Sequence, residues 1–377
     1  MTTEILNVEP PIPAHQRTAL FEAHKQCGGK IVPFAGWELP VQYEGVKAET
    51  LAVRANCGLF DVGHMGQFDV WGEGATAFLN TVVTADWSKT RVGRASYGLL
   101  LTESGGVLDD VMGYRLEEER WLVVVNASRV QRDEELLCSL LPSSVSFRNR
   151  LDSQAMIAIQ GRGAETILQP FCSAALSDFM FRDVREIEVL GEKCVLARGG
   201  YTGCDGFEWM GSAGLAPHLW QSLLEQGAVP CGLGARDVLR LEAGLPLYGH
   251  ELRENLSPYE SGVAFAVKFD KGEFHGRPGL LKGLQSPPQQ TIRGVQMMGR
   301  AIARDGYAVS CGGTRIGEIT SGTPSPTLDK NIALALLPTQ LLLGTDIEIH
   351  IRGAVHPAQI VALPFVPRST KPTPKIS

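Results

Sequence analysis

No stretch of the sequence stays apolar for the roughly 18 residues that a membrane-spanning helix requires. The nearest approach, residues 332–343, is broken by Pro338, Thr339 and Gln340, so no such helix is expected. Cysteine is sparse: Cys27, Cys57, Cys138, Cys172, Cys194, Cys204, Cys231 and Cys311 never lie closer than ten positions apart. That dispersal excludes CxxC metal or redox motifs and fits reduced thiols in a cytoplasmic protein. The opening Met-Thr-Thr-Glu-Ile-Leu lacks a basic region followed by an apolar core, so no secretory signal is expected. Positive charge is in deficit as well, with 35 Lys and Arg against 41 Asp and Glu, a net −6 with His neutral. A chain-wide grip on nucleic acid or on an anionic membrane is therefore not expected. GxxxxGK[ST] and HExxH are both absent, which removes a P-loop and the HExxH type of zinc site.

What is present points to packed cores. The 44% hydrophobic content excludes bulk disorder, and 377 residues exceed what one core usually serves. Residues 18–27 have a helical pattern stopped by Gly28 and Gly29. A strand at 120–126 precedes a helical run at 129–141, and a strand at 206–210 precedes another at 215–226. Strand candidates at 154–160 and 186–190 and a helix from about Ala164 lie between them. This outline predicts an α+β class with mixed or antiparallel sheets rather than a doubly wound parallel one. Ser286-Pro287-Pro288-Gln289-Gln290 has linker composition, dividing the chain into 1–285 and 286–377. Beyond it, short strands at 291–297, 307–310, 314–320, 332–337, 346–351 and 355–362 predict a small β-barrel. The Pro-rich residues 1–16 are expected to fray and 367–377 to form a loose tail.

Two Gly-x-Gly pairs, Gly161-Arg162-Gly163 and Gly232-Leu233-Gly234, lack the third glycine of a dinucleotide fingerprint and predict turns into helices. His24 and Cys27 stand one helical turn apart without further ligands, so no metal site is expected.

Three segments are richer than structure alone requires. In Gly105-Gly106-Val107-Leu108-Asp109-Asp110 two carboxylates enter a strand, where adjacent side chains point to opposite faces. One is then free to face a cavity and the other solvent, although both could simply solvate a strand edge. In Gly199-Gly200-Tyr201-Thr202-Gly203-Cys204-Asp205-Gly206-Phe207-Glu208 four glycines surround Tyr201, allowing close backbone approach to a flat ligand. Glu208 could accept two hydrogen bonds from an amino-substituted heterocycle such as a pterin or guanine edge; the alternative is a plain turn with a surface Glu. In Gly234-Ala235-Arg236-Asp237-Val238-Leu239-Arg240, Asp237 and Arg240 can pair along a helix, which leaves Arg236 to offer a planar fork to a carbonyl or carboxylate.

Taken in order, these segments resemble the aminomethyltransferase family, the T proteins of the glycine cleavage system. Phe34-Ala35-Gly36-Trp37-Glu38-Leu39-Pro40, Leu59-Phe60-Asp61-Val62-Gly63-His64-Met65-Gly66 and Thr320-Ser321-Gly322-Thr323-Pro324 extend the resemblance over about residues 18–367. It implies a three-domain cloverleaf around a central folate cavity, with two interleaved domains in 1–285 and a small C-terminal barrel. It also implies tetrahydrofolate as cofactor and the lipoylated H protein as partner. The activity implied moves a one-carbon unit from the aminomethyl-lipoyl arm to tetrahydrofolate, releasing ammonia. Carried over by motif, Asp110 matches the catalytic position and Asn126 a folate contact. Tyr201, Glu208 and Arg236 match the pterin site, and Leu122 and Val124 fall on the strand lining the cavity. Cys204 departs from the Glu usual in the family, and Phe265 stands where some members have Trp. Two other activities share this framework: a folate-dependent demethylase acting on a sulfonium or N-methylglycine donor, and a non-enzymatic folate-binding factor. The second carries a Cys where this chain has Gly200.

Overall fold

The computed structural model describes residues 15–369. Residues 1–14 and 370–377, and with them most of the expected frayed start and loose tail, lie outside the described residues.

Four β-assemblies make up the fold. A three-stranded sheet pairs Gln16–Arg17 and Lys30–Phe34 with Trp37–Gln42. A six-stranded sheet runs in the order Val184–Val189, Glu192–Arg198, Gly206–Ser212, Gln154–Gln160, Gly58–Asp61, Val229–Pro230, and only its last pair is parallel. A five-stranded antiparallel sheet runs Arg94–Leu101, Val107–Glu117, Arg120–Val125, Gly66–Gly72, Val145–Asn149. The chain passes from the six-stranded sheet to the five-stranded one between Asp61 and Gly66 and returns at Gln154, so the six-stranded sheet is split in sequence while the five-stranded sheet is built from consecutive strands. The last assembly is a closed six-stranded barrel between Gln290 and Val361, which agrees with the turn-punctuated strands of the sequence.

Both large sheets are apolar on two faces, which requires both faces to be covered. On the outer face of the six-stranded sheet, Ile157, Ile159, Phe207 and Trp209 pack with Leu219, Trp220 and Leu223 of the Ala216–Glu225 helix. On the outer face of the five-stranded sheet, Val123 and Val125 pack with Leu79 and Val82 of the Ala75–Val82 helix. The inner faces meet each other through Met156, Ala158, Ala197 and Met210 from one sheet and Tyr114, Leu122 and Val124 from the other. Strand alternation places Glu208 with Met210 and Asp110 with Tyr114 on these inner faces. Two sequence positions far apart therefore share one interior.

The barrel is clamped to the rest by buried charges that are fully hydrogen-bonded. Arg240 of the Leu233–Glu242 helix binds Glu251 at 2.9 Å and Ser321 Oγ of the barrel at 2.8 Å. Glu242 accepts from Ser325, Thr327 and Arg54. Asp237 does pair with Arg240, at 2.8 Å.

The two Gly-x-Gly pairs are turns into helices, Ala164–Leu168 and Leu233–Glu242. The first helix, Phe21–Gln26, is shorter than its sequence pattern, and Gly28, with a φ of +75°, follows its C-cap Cys27 and suits the stop. His24 is not a ligand there: it bonds Asp61 at 2.7 Å and the Tyr43 hydroxyl at 2.8 Å. Among the described residues no three His, Cys, Asp or Glu side chains are arranged to hold a metal ion, and no helix is long and apolar enough to cross a membrane.

Candidate active site

Asp110 lies mid-strand in Val107–Glu117, with Asp109 and Val111 on either side closed from solvent while its own side chain keeps accessible surface. Tyr97, on the neighbouring strand, donates its hydroxyl to Asp110 Oδ2 at 3.1 Å, and Asn126 Nδ2 donates to Oδ1 at 2.8 Å. Burial and, after it, the charge of Asp109 push the Asp110 carboxyl up to about 7. Glu208 repeats the pattern on the other sheet, partly accessible between buried Phe207 and Trp209. It accepts from the Tyr114 hydroxyl at 2.9 Å, and its second oxygen has no donor among the described residues. Burial raises its pKa. A side chain that is desolvated yet still accessible lines a recess rather than an open surface.

Arg236 and Tyr201 complete the wall. The Arg236 guanidinium stands 4.9 Å from the Tyr201 ring centre and makes no hydrogen bond to a described residue. Burial lowers its pKa, opposed by the attraction of Tyr201 and Glu208. A small recess beside it is bordered by Leu39, Pro40, Phe60, Asp61 and Cys231. His64 also lies nearby, with Nδ1 buried and unpartnered; burial foremost, with Arg236 adding to it, pushes its pKa down to about 4. The charges of Asp110 and of Arg236 both act on Tyr201, so the aspartate and the arginine lie on either side of this ring. Phe265, 64% exposed, stacks on Tyr97 with ring centres 5.9 Å apart.

Among the sequence candidates, Asn126 bonds Asp110, Arg236 lies over the Tyr201 ring and feels the charge of Glu208, and Tyr201 feels the charge of Asp110. Leu122 has no accessible surface and Val124 very little, and both pack with Tyr114 in the inner core.

Two expectations about neighbours are corrected. Asp109 does not turn to solvent. It is fully buried and accepts from Asn126 N at 3.0 Å and from Asn126 Nδ2 at 2.8 Å, because the outer face of its strand is covered by the Val130–Leu140 helix. Three of the four glycines around Tyr201, namely Gly200, Gly203 and Gly206, serve the protein's own packing, while a Cβ on Gly199 would meet open space. A Cβ on Gly200 would come within 2.1 Å of the Gln160 side chain, and one on Gly203 within 2.6 Å of Ala243. Cys204 accepts an N–H from Arg54 at 2.9 Å, and the charge of Arg54 is met by Glu242.

Tyr97 and Tyr114, which bind the two carboxylates, were not singled out by sequence. Tyr114 has the same strand parity as Asp110, four positions on, and that was a usable signal.

Residues 20–271 match the GCVT N-terminal domain and residues 291–367 the glycine cleavage T-protein C-terminal barrel domain. The aminomethyltransferase of Halalkalibacterium halodurans is 43% identical over 359 residues, 94% of this chain and 98% of that protein. That of Geobacillus kaustophilus is 44% identical over 363 residues, covering 94% and 99%. The crystal structure of glycine cleavage system aminomethyltransferase T from Bartonella henselae superposes with a TM-score of 0.89 at 31% identity, covering 95% of this chain and 99% of that one. The cloverleaf expected from the sequence is accordingly the fold observed, and the chain belongs to the aminomethyltransferase family of enzymes, the T proteins of the glycine cleavage system.

Proposed function

We propose that this aminomethyltransferase takes tetrahydrofolate into the hollow between its two large sheets and receives its donor, an aminomethyl group on a lipoyl arm, from an H protein. One relationship supports the reading: Glu208 keeps a carboxylate oxygen and Arg236 a guanidinium without a partner among the described residues, and the charge of each acts on the other. A reduced pterin presents an amino group and ring N–H donors to the first and a carbonyl acceptor to the second. When bound, the coenzyme supplies the nucleophilic nitrogen that accepts the one-carbon unit.

The protein's part is electrostatic and positional. Loss of ammonia from a protonated, sulfur-bound aminomethyl group moves positive charge from the departing nitrogen onto carbon and sulfur. The Asp110 carboxylate, held by Tyr97 and Asn126, faces that charge and can hold a proton in transit, since its pKa lies near neutrality. Glu208, Arg236 and Tyr201 fix the acceptor's orientation, which reduces the entropy lost in reaching the reactive geometry. Phe265 and Tyr97 offer aromatic faces at the accessible side.

Calorimetric titration with tetrahydrofolate, followed by turnover with aminomethyl-lipoyl H protein, tests the reading. Binding together with ammonia release supports it. Binding with turnover only on dimethylsulfonium or sarcosine donors would establish the demethylase alternative instead.

A further inference from the structure

Behind Asp110 stands a third carboxyl that the proposed reaction does not use. Asp133, in the first turn of the Val130–Leu140 helix, has no accessible surface. Neither of its oxygens has a hydrogen-bond donor among the described residues. The acid it faces is Asp109, which is equally buried and already receives two N–H groups from Asn126. Two facing carboxyls without a cation between them cannot both be charged.

We propose that Asp133 is a positioning residue, a neutral acid that donates its proton to Asp109. Asp109 then remains a charged acceptor for both N–H groups of Asn126, and Asn126 presents its side chain to Asp110. This rests on Asp110 being the catalytic carboxylate. The alternative location of the proton, on Asp109, would weaken the acceptor for the Asn126 backbone N–H and remove the negative charge beside Asp110. Burial and the charge of Asp109 both favour the neutral form of Asp133, pushing it up to about 11. Arg129, bound to Glu254 at 2.8 Å and lying over the Tyr248 ring at 5.0 Å, moderates that shift without pairing with Asp133. The other ionisable groups facing the carboxyl series are Tyr97 and Tyr201, on the Asp110 side, and Tyr248, toward Asp109 and Asp133.

The test compares Asp133→Asn, which keeps a donor toward Asp109, with Asp133→Leu, which removes it. Aminomethyl transfer is measured from pH 5 to 9 together with tetrahydrofolate affinity. In the Asn variant kcat stays within about threefold of wild type and the acid limb does not move. In the Leu variant Asp109 takes the proton, kcat falls about tenfold, and the acid limb moves down by about half a pH unit or more, while tetrahydrofolate affinity is unchanged. Equal behaviour of the two variants, or loss of stability with an unmoved limb, overturns the proposal. An infrared difference spectrum of wild type minus Asp133→Asn at pH 9 does not depend on activity or on the Leu variant folding. It should show loss of a protonated carboxyl; loss of an ionised carboxylate overturns the assignment. Absence of any acid limb in wild type would instead count against the role of Asp110.

Discussion

The Tyr114 hydroxyl donates to Glu208 Oε2 at 2.9 Å across the interface between the two large sheets. The bond anchors one carboxylate oxygen and leaves the other without a donor among the described residues. Glu208→Gln keeps the shape but loses the charge, and hydrogen bonds to charged groups are worth about 1.5–3 kcal/mol. Tetrahydrofolate affinity should fall about tenfold or more, with the loss in KM rather than kcat. Tyr114→Phe should instead cost stability, on the order of 1 kcal/mol. Titration calorimetry and denaturant unfolding separate the two effects; a Glu208→Gln protein with wild-type affinity would exclude that residue from the binding site.

The role proposed for Asp110 predicts the pH profile. Its carboxyl is pushed up to about 7, and the proposed reaction needs the carboxylate. Activity should therefore rise with pH between about 6 and 8 and flatten above, since deprotonation supplies the working form. Asp110→Asn should fold, bind tetrahydrofolate, lower kcat by about 10²–10³-fold and abolish this limb. Steady-state rates across pH, with unfolding curves as a control, check it.

Much of this site could be read in the sequence because strand alternation and ordered motifs both report on it. Asp110 and Glu208 interrupt apolar strands, and such interruptions mark an inward polar face. The barrel was legible from its closely spaced turns. Strand parity could have put Tyr114 on the face of Asp110, but the partners of Tyr97 and Tyr114, 13 and 94 positions away, are supplied only by the packing of strands and sheets. Alternation also gave the direction of Asp109 but not what covers it. A helix carrying Asp133 lies there, and nothing in the local pattern distinguishes a covered outer face from a wet one.

Because Asp109 is buried, its replacement should not be benign. Asp109→Asn puts an uncharged amide against two donors of Asn126 and against Asp133, leaving part of the network unsatisfied. A loss of about 1–3 kcal/mol in unfolding free energy is expected, the usual cost of an unmet buried group. Activity should fall as well, since Asn126 also holds Asp110. Unfolding in urea beside kcat measurements decides the point; an Asn variant as stable and active as wild type would mean that the buried anion is not needed.

Asp133 makes stability depend on pH in a direction that can be worked out. Its folded pKa lies at about 11 against an ordinary 3.8, so between those values the folded chain holds a proton that the unfolded chain has released. Stability therefore decreases as pH rises, by up to about 1.4 kcal/mol per pH unit from this group alone. Asp133→Asn cannot titrate and lacks this dependence. Relative to wild type it should gain stability steadily from pH 5 through pH 9, even if the two proteins differ little at pH 5. Urea unfolding at three pH values in that window measures the gap. Parallel stability curves would mean that the Asp109–Asp133 pair holds no extra proton in the folded protein, which overturns the assignment.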